Sequence, residues 1–233
     1  MAQPQKLALY PLMLTPTFFK GRSALVVGGG AVATRKIKTL LAAGARVKVV
    51  APALSAELDD LRQSGQLEWF EQQWQTGQLQ NFPDSMLVFA ATSNPAVNRA
   101  VAEEARAAGR LVNQADDPAG CDFILPGLVH QGEITLAITT ASFNNAEEIE
   151  GNPALTAHLR RRLQTLIGPE YGKLARLLRE LRPVVKATVP AEKRPVLWQK
   201  LVESPALDLL KEDHESDAKN LLENILKDFL KNV

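Results

Sequence analysis

Ser23-Ala-Leu-Val-Val-Gly-Gly-Gly-Ala-Val-Ala-Thr-Arg-Lys36 is the stretch that decides the fold. Ala24 to Val27 is a short apolar run of the kind buried on both faces of a parallel sheet. Gly28, Gly30 and Ala33 follow with the spacing G-x-G-x-x-A. Small residues at those positions permit a tight turn, close approach of a pyrophosphate and close packing of helix on strand. The free N–H groups and positive dipole end of the next helix would hold phosphates. A glycine turn in an unrelated α/β protein would share these letters, so context matters. Val32, Ile37, Leu40 and Leu41 give the helical pattern, and Ala45 to Val50 reads as the next strand. Strand, glycine turn, helix and strand make a βαβ unit of the size a dinucleotide-binding site needs.

Working outward, Leu67 to Phe70 reads as a short strand and Met86 to Ala91 as a strongly apolar one. Asn94 is positioned as an N-cap, with Pro95 at the first helical position. The helix runs from Ala96 to a terminating Gly109, and Leu111-Val112-Asn113 opens another strand. In an open parallel sheet the ligand lies beyond the carboxyl ends of the strands. That rule brings residues 28–30, Pro52, 92–94 and 113–117 to one rim. The pattern then changes. Phe123 to Val129 and Glu133 to Thr139 read as two strands of a hairpin turning at Gln131-Gly132. Helices are expected from Asn152-Pro153 to Leu166, then near 171–186, 191–203 and 217–231. The last is amphipathic with acids and lysines mixed on its polar face, as in a packing or oligomer helix.

The 233 residues can bury a real core. A net charge of +1 gives no reason to expect nucleic acid as a partner. Cys121, the single cysteine, excludes an internal disulfide framework and a multi-cysteine metal site, and suits a reducing compartment. His130, His158 and His214 are scattered, so no metal site is expected. No signal-peptide pattern opens the sequence and no apolar run has the length of a membrane span. A soluble cytoplasmic protein without a membrane partner is the expectation. Charge is uneven: residues 156–200 hold eleven Lys and Arg against three acids, whereas residues from 201 onward hold eight acids and four lysines. Solvated helix faces would explain this, and so would a basic surface for an anionic ligand.

Several segments together are more selective than the glycine turn. They are Pro16 to Lys36, Ala43 to Pro52, Ala90-Ala-Thr-Ser-Asn94 with Asn98, Val112-Asn-Gln-Ala-Asp-Asp-Pro118, and Phe123-Ile-Leu-Pro126. In these the chain resembles the precorrin-2 dehydrogenase family, the dehydrogenase–ferrochelatase half of siroheme synthase, here expected in free-standing form. The resemblance covers about residues 11–198. It implies an α/β fold: an N-terminal Rossmann-type parallel sheet over 1–113, a small β-hairpin/helix dimerisation and active-site region over 114–152, and a helical part over 153–233. It implies a homodimer that oxidises precorrin-2 to sirohydrochlorin with NAD. Some members also insert ferrous iron, which leaves iron as a second substrate open. A non-catalytic NAD-sensing module is the alternative. Such a module would be expected to keep an acid at the second strand end and would need no Asn-x-x-Asp-x-Pro rim.

The resemblance also assigns residues. The catalytic aspartate falls on Asp116, with Asp117 its rival; read without the resemblance, Asp116 is better taken as a turn residue ahead of Pro118. NAD is expected on Gly28, Gly29, Gly30, Ala31, Val32, Ala51, Pro52, Thr92, Asn94 and Asn113. The tetrapyrrole is expected on Asn113, Thr140, Ser142, Arg160 and Arg161, since arginine forks suit an octacarboxylate. There is one departure from ordinary NAD enzymes, which the resembling family shares, and one from the family itself. The second strand ends Val50-Ala51-Pro52 without the ribose-binding acid usual in NAD enzymes. The family's Gly-Gly loop after the hairpin is replaced by an altered loop over 141–152, with an acidic insert running from Phe143 to Glu150, as either a lid or a tolerated surface insertion.

Overall fold

The computed structural model describes residues 10–15, 19, 22–140 and 151–231. It falls into two compact units. One runs to Pro126 and takes in Thr139, Thr140 and Asn152; the other comprises Gly127–Ile138 and the residues from Pro153 onward.

The first unit is built on a five-stranded, all-parallel sheet in the order β4-β3-β2-β5-β6. Its strands are β2 (Ser23–Val27), β3 (Arg46–Ala51), β4 (Leu67–Glu71), β5 (Ser85–Ala90) and β6 (Leu111–Gln114). A short β1 (Tyr10–Pro11) pairs in parallel with β7 (Phe123–Ile124) in a separate two-stranded sheet. Helices α1 (Ala31–Ala42), α2 (Ala56–Gln63) and α3 (Pro95–Ala107) connect the strands.

Alternation along the central strands divides the core. Ala24, Val26, Leu87 and Phe89 face one cluster with Ala33, Ile37 and Leu40 of α1. Leu25, Val27, Val88 and Ala90 face the other with Val101, Ala102 and Ala105 of α3. Every residue of β2 is buried, as expected of a central parallel strand covered on both faces. The chain leaves β2 in one direction toward β3 and β4, and in the other toward β5 and β6. The crevice between β2 and β5 is therefore the switch point where open α/β sheets bind ligands.

In the second unit, β8 (Gly127–Gln131) and β9 (Ile134–Ile138) form an antiparallel hairpin. The remaining elements are α4 (Pro153–Leu166), α5 (Pro169–Thr188), α6 (Arg194–Val202), α7 (Ala206–Lys211) and α8 (Glu215–Lys231). Gly132 turns the hairpin at φ +58°, and a β-carbon on Gly172 of α5 would lie 2.4 Å from the Gln131 carbonyl oxygen. Only glycine lets helix and hairpin approach so closely. Leu222 and Leu226 of α8 join Leu174, Leu177, Leu197 and Leu201 in this unit's core, so α8 has a packing role. Among the described residues no helix is long and apolar enough to cross a membrane.

Two sequence expectations need correction. Phe123 to Val129 is not one strand: β7 stops at Ile124 and β8 starts at Gly127 with a different partner. Pro126 has no N–H for a ladder and constrains Leu125 before it, so the strand breaks there. Residues 114–152 accordingly divide between the two units, with the hairpin going to the second. Helix α2, capped by Ser55, and helix α7 are additional to those read from the sequence.

Candidate active site

The glycine turn lies at the switch point. Gly28 has φ +128°, and its N–H donates to the Val50 carbonyl at 2.9 Å. A β-carbon on Gly28 would lie 2.3 Å from the Ala91 carbonyl oxygen, and one on Gly29 would lie 2.0 Å from that of Ala53. Both glycines are thus demanded by the fold. Gly30 is different. It is exposed, its φ of −90° suits any residue, and a β-carbon there would meet nothing within 4 Å.

Gly30 is also the N-cap of α1, where no side-chain cap bond is made and the first turn holds no acid. Ala31 and Val32 of that turn are exposed. An open space above a glycine, at an uncapped helix N-terminus, fits a pyrophosphate. On this ground the residues present suit a dinucleotide.

At the end of β3, Ala51 is buried and its carbonyl accepts from Trp69 Nε1 at 2.9 Å. Pro52 after it is exposed. Ser55 N–H donates to the Gly29 carbonyl at 2.8 Å, tying this loop to the glycine turn.

At the end of β5, Asn94 Oδ1 accepts from the N–H groups of Ala96 (3.0 Å) and Val97 (3.4 Å). The expected cap is present, and it occupies the Asn94 side-chain oxygen. Thr92 joins Asn98, which is fully buried on α3: Asn98 Oδ1 accepts from Thr92 N–H (3.0 Å) and Oγ1 (2.8 Å). Asn98 Nδ2 donates to the Thr92 carbonyl (3.1 Å) and to Asp116 Oδ1 (2.8 Å).

At the end of β6, Asn113 is buried and committed inside the fold. Its Oδ1 accepts from Lys36 Nζ at 2.7 Å, and its Nδ2 donates to the Phe123 carbonyl at 2.9 Å. Burial pulls the Lys36 amine below its ordinary value and pushes the Cys121 thiol up. Asp116 is exposed, and its Oδ2 makes no hydrogen bond to another described residue. Asp117 Oδ1 instead accepts the Gly120 N–H at 3.0 Å, capping a 3₁₀ turn. The two neighbouring carboxylates therefore differ: Asp116 is presented, Asp117 is tied down.

The remaining predicted residues lie elsewhere. Thr140 Oγ1 accepts from Asn152 N–H (2.8 Å) and donates to the Asn152 carbonyl (3.1 Å), the two residues lying in sequence on either side of the 141–150 segment. That segment, with Ser142, lies outside the described residues. Arg160 and Arg161 are exposed on α4 of the second unit and form no ion pair with a described residue. Other members of the basic span are neutralised within that unit, Lys173 by Asp213, Arg176 by Glu215 and Arg179 by Glu133. No three His, Cys, Asp or Glu side chains among the described residues come together as a metal site.

The sequence reading gave no role to Asn98 or Lys36. The available signal was a polar residue on the otherwise apolar stripe of α3, beside Val101, Ala102 and Ala105.

Comparison with known proteins gives a consistent picture. A family model of NAD(P)-binding domains matches residues 17–127, and the sirohaem synthase dimerisation region matches residues 170–226. Siroheme synthase of Actinobacillus pleuropneumoniae serotype 3 is 37% identical over 197 residues, covering 84% of this chain and 38% of the relative. That of Chromobacterium violaceum is 38% identical over 212 residues, covering 89% of this chain and 43% of the relative. The chain thus spans about two fifths of the length of these curated relatives. Among solved structures, SirC, precorrin-2 dehydrogenase, is similar with a TM-score of 0.71 and 28% identity, over 93% of this chain and 100% of that one. The glycine turn, the parallel sheet and both matched regions together mean that this chain belongs to the precorrin-2 dehydrogenase family, which includes the corresponding part of siroheme synthase.

Proposed function

We propose that this chain oxidises precorrin-2 to sirohydrochlorin, with NAD held at residues 28–32 and along the rim formed by Ala51, Pro52 and Thr92. The reaction removes two hydrogens, so it needs a hydride acceptor and a proton acceptor. NAD+, when bound, supplies the hydride acceptor. Asp116 supplies the proton acceptor, and this carboxylate carries the reading. It is exposed at the end of β6, with one oxygen held by Asn98 and the other unpartnered among the described residues. A carboxylate oriented in this way serves as a general base.

The octacarboxylate substrate is matched by Arg160 and Arg161, which are exposed and form no ion pair with a described residue. Pairing of two copies is supported by the dimerisation-region match. A cytoplasmic setting is supported by a single, buried thiol.

The test is an absorbance assay with precorrin-2 and NAD, following NADH and the sirohydrochlorin spectrum together. Turnover is expected. Binding of NAD without turnover would favour a sensing module instead. Ferrous iron added to sirohydrochlorin in a separate arm reads chelation, for which the presented Asp116 is again the group able to accept displaced protons.

A further inference from the structure

Asp116 is exposed, and an exposed aspartate ordinarily samples several rotamers. Here one oxygen is held by a fully buried side chain, that of Asn98. Asn98 has no exposed surface, and all four of its hydrogen-bonding capacities are used. Its orientation is unambiguous. The Thr92 backbone N–H can only donate, so the group facing it must be the amide oxygen. The amide nitrogen then faces the Thr92 carbonyl with one hydrogen and Asp116 Oδ1 with the other.

The same Thr92 adjoins the cofactor turn. Its backbone nitrogen lies 3.1 Å from where a β-carbon on Gly28 would sit. The chain of contacts thus runs from the glycine turn through Thr92 and Asn98 to the presented carboxylate.

We propose that Asn98 is a positioning residue for proton transfer at Asp116: it holds Oδ1 and leaves Oδ2 to take the proton. This rests on the reading of Asp116 as proton acceptor. In the step itself a C–H bond of the macrocycle breaks and its electron pair leaves as hydride to NAD+. A second bond to hydrogen breaks and its electrons stay in the macrocycle as the new double bond. The released proton forms an O–H bond at Asp116 Oδ2. Asn98 touches neither substrate nor cofactor; it fixes where the accepting oxygen stands. A displacement of about 1 Å at a reacting group can cost about 100-fold in rate.

The test is a double-mutant cycle on the full chain with steady-state readout. Asn98→Ser is too short to reach Asp116 and still offers a hydroxyl to Thr92. Alone it should lower kcat by about 10- to 100-fold, with the KM for precorrin-2 and the affinity for NAD unchanged. In an Asp116→Asn background the same substitution should have little further effect on the residual rate. An equal loss in both backgrounds, or no loss in either, would overturn the proposal. If Asp116→Asn alone keeps full turnover, it is the proton-acceptor reading that fails. A second measurement leaves Asn98 in place and needs no turnover. In the ligand-free protein, Asp116→Ala should shift one of the two Asn98 side-chain amide protons in the NMR spectrum. The Thr92 amide proton should stay where it is. Unmoved Asn98 resonances would overturn the proposal by themselves.

Discussion

Gly28 and Ala91 meet backbone to backbone across the switch point, with the Ala91 carbonyl oxygen 2.3 Å from where a Gly28 β-carbon would lie. The φ of +128° adds a conformation that residues with a side chain rarely adopt. Gly28→Ala should therefore destabilise the fold by about 2–4 kcal/mol, combining backbone strain with a forced shift between β2 and β5. Urea unfolding followed by circular dichroism measures this. An unchanged midpoint would mean the two strand ends are not in contact.

Gly30 should behave in the opposite way. Its β-carbon position is open and its φ is ordinary, so Gly30→Val should change stability by no more than about 1 kcal/mol. The added side chain would fill the space above the first turn of α1. NAD affinity, measured by titration calorimetry, should fall by at least about tenfold, equivalent to about 1.4 kcal/mol. Intact affinity in a folded Gly30→Val protein would remove this turn from the cofactor site.

The adjacent carboxylates should separate cleanly. Asp116→Asn should lower kcat by about 10²- to 10⁴-fold while NAD still binds. Asp117→Asn keeps an oxygen able to cap Gly120, so it should leave kcat within about twofold. Steady-state rates on both variants decide the matter, and the reverse ranking would exchange the two roles.

Arg160 and Arg161 should act on the substrate alone. The double replacement by Gln should raise the KM for precorrin-2 and leave the dissociation constant for NAD unchanged. Both arginines are exposed and on a helix with no buried residue, so the fold should tolerate the change. A parallel loss of affinity for both ligands would indicate a structural role instead.

What could be read from the sequence follows from how local each signal is. The β2–glycine–α1 unit was legible because a continuous apolar run, three glycines and a 3.6-residue pattern lie within twenty positions. The Asn94-Pro95 helix start was legible for the same reason. The break at Pro126 was obscured by apolar residues on both sides, and the pairing of β7 with Tyr10–Pro11 spans most of the first unit. Helix α2 buries only Leu58 fully, which leaves too faint a stripe to see. Position along the sequence is a local signal, whereas hydrogen-bond partners are not. Asn113 lies near the end of β6, and its amide is held by Lys36, 77 positions earlier. The link from Asn98 to Asp116 joins two strand-end segments in the same manner.

Lys36 offers a test of that long-range link through pH. Its ammonium is half-buried, 5.9 Å from the centre of the Phe89 ring, and its one hydrogen bond among the described residues is to Asn113. Burial lowers its pKa in the folded protein below the ordinary 10.5, only partly opposed by the nearby Cys121. Between the lowered folded value and 10.5 the unfolded chain binds more protons than the folded one, so stability contributed by this site rises with pH across that window. Below the folded value both states are protonated, and the full cost of burying the charge is present. Lys36→Met removes the titration. The difference in unfolding free energy, wild type minus variant, should therefore rise as the pH is taken from neutral towards 10.5 and level off above it. Denaturant titrations of both proteins at a series of pH values measure this difference. A difference that stays flat would show that the Lys36 amine has the same pKa in the folded and unfolded chain, so that burial does not lower it.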